Sequence, residues 1–246
     1  MRRAIALTVV AYFVLLAVSA CAQGIPTQTW EQAGSETFPT ASWFGSTGLL
    51  VTPTAYVIDP QQVQVQYHHI GSDHGIPAIK VWGGNVGVVP NLELGISHFG
   101  DIQTNDVPTP KTVSETVFNG KYHLQLARWL NNPQMPDVAF GMFDISNKIN
   151  RTWYVVASKQ INLVEEKPTS LGAHLGFARN DQRAGKMNGI FGGIDFVPFK
   201  GLIAQAEYDS DHINGCVRYY PKPEVSLDLG SVNSNFSYGV TGHIAW

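Results

Sequence analysis

Period-two alternation runs through most of this chain and limits what it can fold into. In QQVQVQYHHI, residues 61–70, Val63, Val65 and Tyr67 share one parity and Gln62, Gln64 and Gln66 the other. In LGAHLGFAR, residues 171–179, Leu171, Ala173, Leu175 and Phe177 fall together. The final run places Phe236, Tyr238, Val240, Ile244 and Trp246 on one side, and Ser237, Thr241 and His243 on the other. Successive side chains of a strand point to opposite faces, so each segment reads as a strand with one apolar and one polar face. Similar segments span 79–89, 92–99, 116–126, 137–145, 152–160, 188–196, 202–209, 216–220 and 224–230. That predicts twelve strands, most near the ~9–11 residues that a tilted strand needs to cross a bilayer. The best helical candidate, ARWLNN at 127–132, is too short to alter the class. No 20–50-residue repeat suggests a propeller or solenoid.

The connections fall into two sets. One is short or marked by proline: Pro90-Asn91, residues 197–201 and Pro221-Lys222-Pro223. The other is longer and more polar: 100–113, 146–151 and 180–186. Alternation of short turns with longer loops is the pattern of an outer-membrane barrel. The stretches 131–136 and 161–170 depart from it. The expected fold is therefore all-β, an antiparallel transmembrane β-barrel of about twelve strands.

A hairpin register follows from matching apolar positions. Pairing Phe196 with Leu202, Tyr208 with Val217, Tyr219 with Val225 and Leu229 with Phe236 keeps one face apolar. A one-residue slip would invert that face. The opposite face then carries Asp195, Gln205, Glu207, Arg218, Ser226 and Asp228, with Glu207 facing Arg218 and Asp228 a diagonal away. In a membrane barrel this face lines the lumen; in a soluble barrel or sandwich it would look outward. Charges inside a membrane-spanning element are costly unless paired or wet. Glu207, Arg218, Asp228 and Asp195 are accordingly expected to form a lumen charge network. It would either select a polar solute or hold the interior together.

Residues 1–22 read as an export signal: Arg2 and Arg3, then the uncharged run AIALTVVAYFVLLAV, then small residues. Ala20-Cys21-Ala22 fits ordinary cleavage, and Val18 to Cys21 also fits a lipobox that would make Cys21 the lipidated N-terminus. After ordinary cleavage Cys216 is the one cysteine left, so no disulfide staples the exported chain. Loss of Arg2 and Arg3 takes the formal charge from −3 to about −5, which leaves no basic surface for nucleic acid. Residues 23–60 form an extended lead-in containing GSTGLLVTPTA, and 61–246 form the barrel. The glycines at 172, 176, 189 and 193 share the lumen parity and leave room that residues 45–55 are suited to plug.

GSTGLLVTPTA at 45–55, VVPNLELGIS at 88–97 and AEYDSDHINGCVRYYPKP at 206–223 resemble the YjbH family. The resemblance spans most of residues 45–246. It implies an outer-membrane barrel associated with exopolysaccharide production. Its expected partners are outer-membrane lipid, the barrel assembly machinery, and an exopolysaccharide or its secretion proteins. The ending with Phe236, Tyr238 and Trp246 resembles the aromatic-terminated strand that this machinery reads.

Catalytic and cofactor signals are weak. His68 and His69 are neighbours and face apart; His123, His174 and His243 lie on separate strands without ligand spacing. Ser97 and His98 also face apart, and His123 with Ser158 or Ser226 is the remaining serine–histidine combination. No G-x-S-x-G occurs. Trp82, Trp129, Trp153, Tyr219, Tyr220 and Trp246 suit interfacial girdles or sugar-stacking platforms. The reading is a non-enzymatic barrel without metal or cofactor, in the outer membrane of a Gram-negative-type bacterium, aiding exopolysaccharide export or surface organisation. A narrow general porin and a soluble periplasmic barrel are the alternatives.

Overall fold

The structure is a computed structural model that describes residues 40–72, 78–103, 112–132, 134–163, 169–182 and 186–245. The export segment with Cys21, the lead-in as far as residue 39, and Trp246 lie outside the described residues. Among the described residues twelve strands run in chain order: β1 Gln62–Ile70, β2 Ile79–Val89, β3 Leu92–Gln103, β4 Thr112–Leu124, β5 Asp137–Phe143 and β6 Thr152–Asn162. They continue as β7 Ser170–Asn180, β8 Gly189–Phe199, β9 Leu202–Tyr208, β10 Ile213–Lys222, β11 Val225–Val232 and β12 Asn235–Ala245. Each pairs antiparallel with its sequence neighbours, and β1 closes the ring against β12 from Gln62↔Ala245 to Ile70↔Ser237. One helical turn, α1 Leu126–Trp129, interrupts the β4–β5 connection where ARWLNN begins.

The two faces of the sheet decide the environment. Val65 is 55% exposed and its neighbour Gln66 is 3% exposed. Phe118, Phe140, Leu175, Ile194, Val217, Leu229 and Val240 stand outward and exposed, while Gln64, Asn85, Glu93, Lys121, Glu207, Arg218 and Asp228 are buried inside. Water would drive that arrangement the other way; hydrocarbon outside the ring sustains it. The chain is a transmembrane barrel.

The hairpin partners differ from the sequence reading. Leu229 faces Tyr238, Tyr219 faces Leu227, Tyr208 faces Ile213 and Phe196 faces Ala204. Each differs by two or four residues from the expected partner, so every side chain keeps its face while its neighbour changes. The cause is strand length. β8 continues through Pro198 to Phe199, absorbing a register shift after Phe196, and β10 continues through Pro221 to Lys222. The sequence pattern makes proline a turn marker, but on these strands it sits within the terminal pairings. Tyr220 is buried inside, tilted against the ring of His243, and is not a girdle residue. Trp82, Trp129, Trp153 and Tyr219 are exposed.

The interior is filled by the chain itself. Residues 40–58 double back within the ring, tied by bridges Ala41↔Thr47 and Gly48↔Pro53 and by a bond from Leu49 N to Thr52 O of 2.9 Å. Trp43, Leu49, Leu50, Ala55 and Ile58 in this segment are fully buried. Trp43, Leu50 and Val51 cluster with Ile70, Cys216 and Val232 of the wall, and Ala55 packs with Tyr154, Val156 and Phe191. An eight-strand ring is filled by its own side chains and a sixteen-strand ring leaves a channel. Twelve strands leave space for a folded peptide, and these residues occupy it.

Two glycines permit the close fit. A Cβ on Gly193 of β8 would lie 2.4 Å from Leu49 Cδ1 and 2.6 Å from the Ala206 carbonyl oxygen. A Cβ on Gly87 of β2 would lie 2.0 Å from the Asp59 carbonyl oxygen, where the segment leaves the lumen beside the Pro60–Gly87 bridge.

Candidate functional site

The candidate site is the contact between the inner wall and residues 40–58. A peptide buried in a barrel brings backbone N–H and C=O groups that water no longer reaches, and each needs a partner. The wall supplies them. Glu207 of β9 accepts from Val51 N at 2.8 Å, Thr52 N at 3.0 Å, Leu50 N at 3.2 Å and Thr52 Oγ1 at 2.7 Å. Three consecutive amides thus converge on one carboxylate, a backbone concavity of the kind that binds anions. Asn214 of β10 adds a bond to Glu207 at 3.1 Å.

Across the lumen, Glu93 of β3 accepts from Thr47 N at 2.8 Å, Thr47 Oγ1 at 2.7 Å and Ile58 N at 3.2 Å. Lys121 of β4 lies 4.0 Å from Glu93 and donates to Thr47 O at 2.7 Å, to Thr54 O at 3.2 Å and to Thr47 Oγ1. Arg218 of β10 grips Asp228 of β11 through two bonds, at 2.6 and 3.0 Å, and donates to Ala41 O at 2.9 Å. Trp43 stacks on His68 of β1 with ring centroids 5.1 Å apart. Carboxylates of the wall meet donors of the segment, and cations of the wall meet its carbonyls.

The expected charge network is thereby corrected. Glu207 faces Asn214, and Arg218 faces Ile203 on one side and Asp228 on the other. Arg218 and Asp228 form a direct pair; Glu207 belongs to the segment's amides. Asp195 joins neither. It accepts from His174 Nε2 at 2.6 Å, and His174 Nδ1 lies 2.8 Å from Ser158 Oγ. Ser158 also accepts from Ala55 N at 2.8 Å. The Asp195 carboxylate only accepts, so Nε2 carries the hydrogen toward it, and in the neutral ring Nδ1 then accepts from the Ser158 hydroxyl. Sequence reasoning offered His123 to Ser158, but His123 lies 3.1 Å from Asp137 instead. The signal for His174 was its parity: Ser158 and His174 face each other across the β6–β7 hairpin. A cavity of about 10 Å³ next to His174 and Asp195, lined also by Thr40, Tyr56 and Gln205, holds about one water.

At the end of the barrel away from residue 60, Lys186 closes over the segment. Its Nζ lies 3.2 Å from Asp209 and 5.7 Å from the centre of the Phe44 ring. Burial pulls the Lys186 ammonium below the ordinary lysine value, against the attraction of Asp209. Burial also works to raise the Asp209 carboxyl, but Lys186 and bonds from His212 N and Asn214 outweigh it and hold the group below its ordinary value. Phe236 and Tyr238 of the proposed assembly signal face outward on β12. Among the described residues no group of three His, Cys, Asp or Glu side chains is set to hold a metal ion.

A closed ring with an apolar exterior and a polar interior stoppered by its own N-terminal segment defines the class: a plugged transmembrane β-barrel. Residues 40–241 match the family model described as YjbH, exopolysaccharide biosynthesis protein YbjH, and the chain belongs to that family. Among curated proteins no sequence relative is found. Solved structures with a similar arrangement include the KdgM porin, at 12% identity and a TM-score of 0.46 over 74% of this chain and 99% of the porin. The N-terminal β-barrel domain of Pseudomonas aeruginosa OprF is also similar, at 10% identity and 0.26 over 76% and 100%.

Proposed function

We propose that this chain is a non-enzymatic outer-membrane barrel that assists exopolysaccharide export, and that residues 40–58 act as its gate. The observation that carries the reading is the gate's mode of attachment. It is held by hydrogen bonds to polar wall residues, which a hydroxyl-rich polymer is equipped to replace, and not by an apolar core alone. Family membership supports the link to exopolysaccharide. The position of the strand ends supports an orientation in which residue 60 and residue 245 face the periplasm, with Lys186 and Asp209 at the outer rim. The partners on this reading are outer-membrane lipid, the assembly machinery, and the polymer or its secretion proteins.

Two features favour this over the other readings. A lumen filled by buried side chains does not serve a constitutively open porin. Ser158 Oγ is capped by Ala55 N under the segment, and the adjoining cavity has no room for an acyl group, so the Ser158–His174–Asp195 row acts as an anchor. The test replaces Val51 of the segment by cysteine, opposite the native Cys216 of the wall with which it clusters. In cells that depend on this chain for surface polysaccharide, the oxidised Val51→Cys variant retains polymer inside, and reductant restores export. Full export by the oxidised form would refute the gate.

A further inference from the structure

The wall facing the gate also carries information about which polymer it admits. Among the described residues, the buried ionisable side chains of the strands include four acids, Glu93, Asp195, Glu207 and Asp228, against the cations Lys121 and Arg218. Arg218 neutralises Asp228 and Lys121 lies beside Glu93. Among the described residues Glu207 forms no direct ion pair; its partners are the gate's amides and Asn214, and Lys186, which acts on it from a distance, is paired with Asp209. Asp195 uses one oxygen for His174, while its other oxygen is buried with no hydrogen-bond partner among the described residues. That side chain lines the small cavity beside Gln205 and Thr40. Withdrawal of residues 40–58 removes four donors from Glu207, three from Glu93 and one from Ser158. What remains is a row of acceptors with two carboxylates that, among the described residues, no lysine or arginine contacts directly.

A low-dielectric wall strengthens the field of such charges. Sugar hydroxyls and ammonium groups donate to carboxylates; a uronate or phosphate brings a second negative charge to them. Resting on the gated-export reading, we propose that the open lumen is a binding track for glycan chains without acidic groups, read by Glu207 and Asp195, and that it rejects polyanionic polymers. The gate then occupies the same acceptors as the polymer, so the two exclude one another.

The test loosens the gate from its own side in the full chain, with Trp43→Ala and Leu50→Asp, and leaves the wall intact. Planar bilayers in a salt gradient at pH 8 report ion preference. The expected channel passes cations over anions on the order of tenfold, and adding Glu207→Gln with Asp195→Asn lowers that ratio roughly threefold. Neutral malto-oligosaccharides and chitosan oligomers interrupt the current at concentrations roughly tenfold below oligogalacturonate of equal length. Anion preference, or block strongest with oligogalacturonate, overturns this inference and leaves the gate standing. No conductance from the loosened chain, when heat-modifiable gel mobility shows a folded barrel, overturns the gate and the inference together.

Discussion

Replacing Glu207 by alanine tests the gate's attachment with a reporter already present. Glu207 receives three backbone amides and one hydroxyl from residues 50–52. A hydrogen bond to a charged group contributes about 1.5–3 kcal/mol, and removing one side of a buried constellation costs about 3–5 kcal/mol because the other side is stranded. Water entering the vacated side-chain volume recovers part of this, so about 3 kcal/mol of docking free energy is lost, roughly a hundredfold in the opening equilibrium. Cys216 reads that equilibrium. Its side chain is packed with Trp43, Leu50 and Val51, so a reagent meets the thiol only when the gate has moved. The assay is the labelling rate of Cys216 by a small membrane-impermeant maleimide on protein in liposomes, assigned by the mass of its peptide. Labelling roughly a hundredfold faster is expected, with unchanged heat-modifiable mobility. Equal rates in the two proteins would refute the claim that Glu207 holds the segment in place.

Ser158→Ala removes the single acceptor of Ala55 N, costs about 1 kcal/mol of docking, and speeds Cys216 labelling about fivefold. Gly87→Ala sets a Cβ against the backbone of Asp59, which no side-chain rotation relieves; hydrogen exchange at the Ile58 and Asp59 amides rises while the β2–β3 amides keep their protection. Asp209→Asn lowers the thermal midpoint at pH 7 by an amount matching about 1–2 kcal/mol. Asp209 titrates below its ordinary value in the folded state, so its contribution is present above the unfolded carboxyl's pKa and disappears as pH falls through the folded one. Mutant and parent midpoints therefore converge in strong acid, and a constant gap across the pH range would disprove the ion-pair role.

The faces of the strands were legible in the sequence because parity survives any even error in register. Parity alone puts Phe236, Tyr238 and Val240 outward and Arg218 and Asp228 inward, as the structure has them, although each matched hairpin partner is displaced. Partners were not legible, because apolar matching gives equal scores at shifts of two when a strand is uniformly greasy on one side, as β10 and β11 are. The Glu207–Arg218 pair failed for that reason. The role of Glu207 lay further out of reach. Its partners are backbone amides more than 150 residues away, and amides leave no signature in a sequence. Lumen glycines hinted at vacant space, and GSTGLLVTPTA supplied a segment of the right size. Neither indicated which wall side chains would hold it.

The central claim is that the exterior lies in hydrocarbon while the interior is walled off from water by residues 40–58. Single-tryptophan chains test both halves at once through fluorescence quenching in bilayers. Trp82 and Trp153, on the exposed face, are expected to be quenched by brominated lipid and spared by aqueous iodide. Trp43, fully buried against His68, is expected to be spared by both. Iodide quenching of Trp82 and Trp153 without lipid quenching would contradict the membrane barrel, and iodide quenching of Trp43 would contradict the filled lumen.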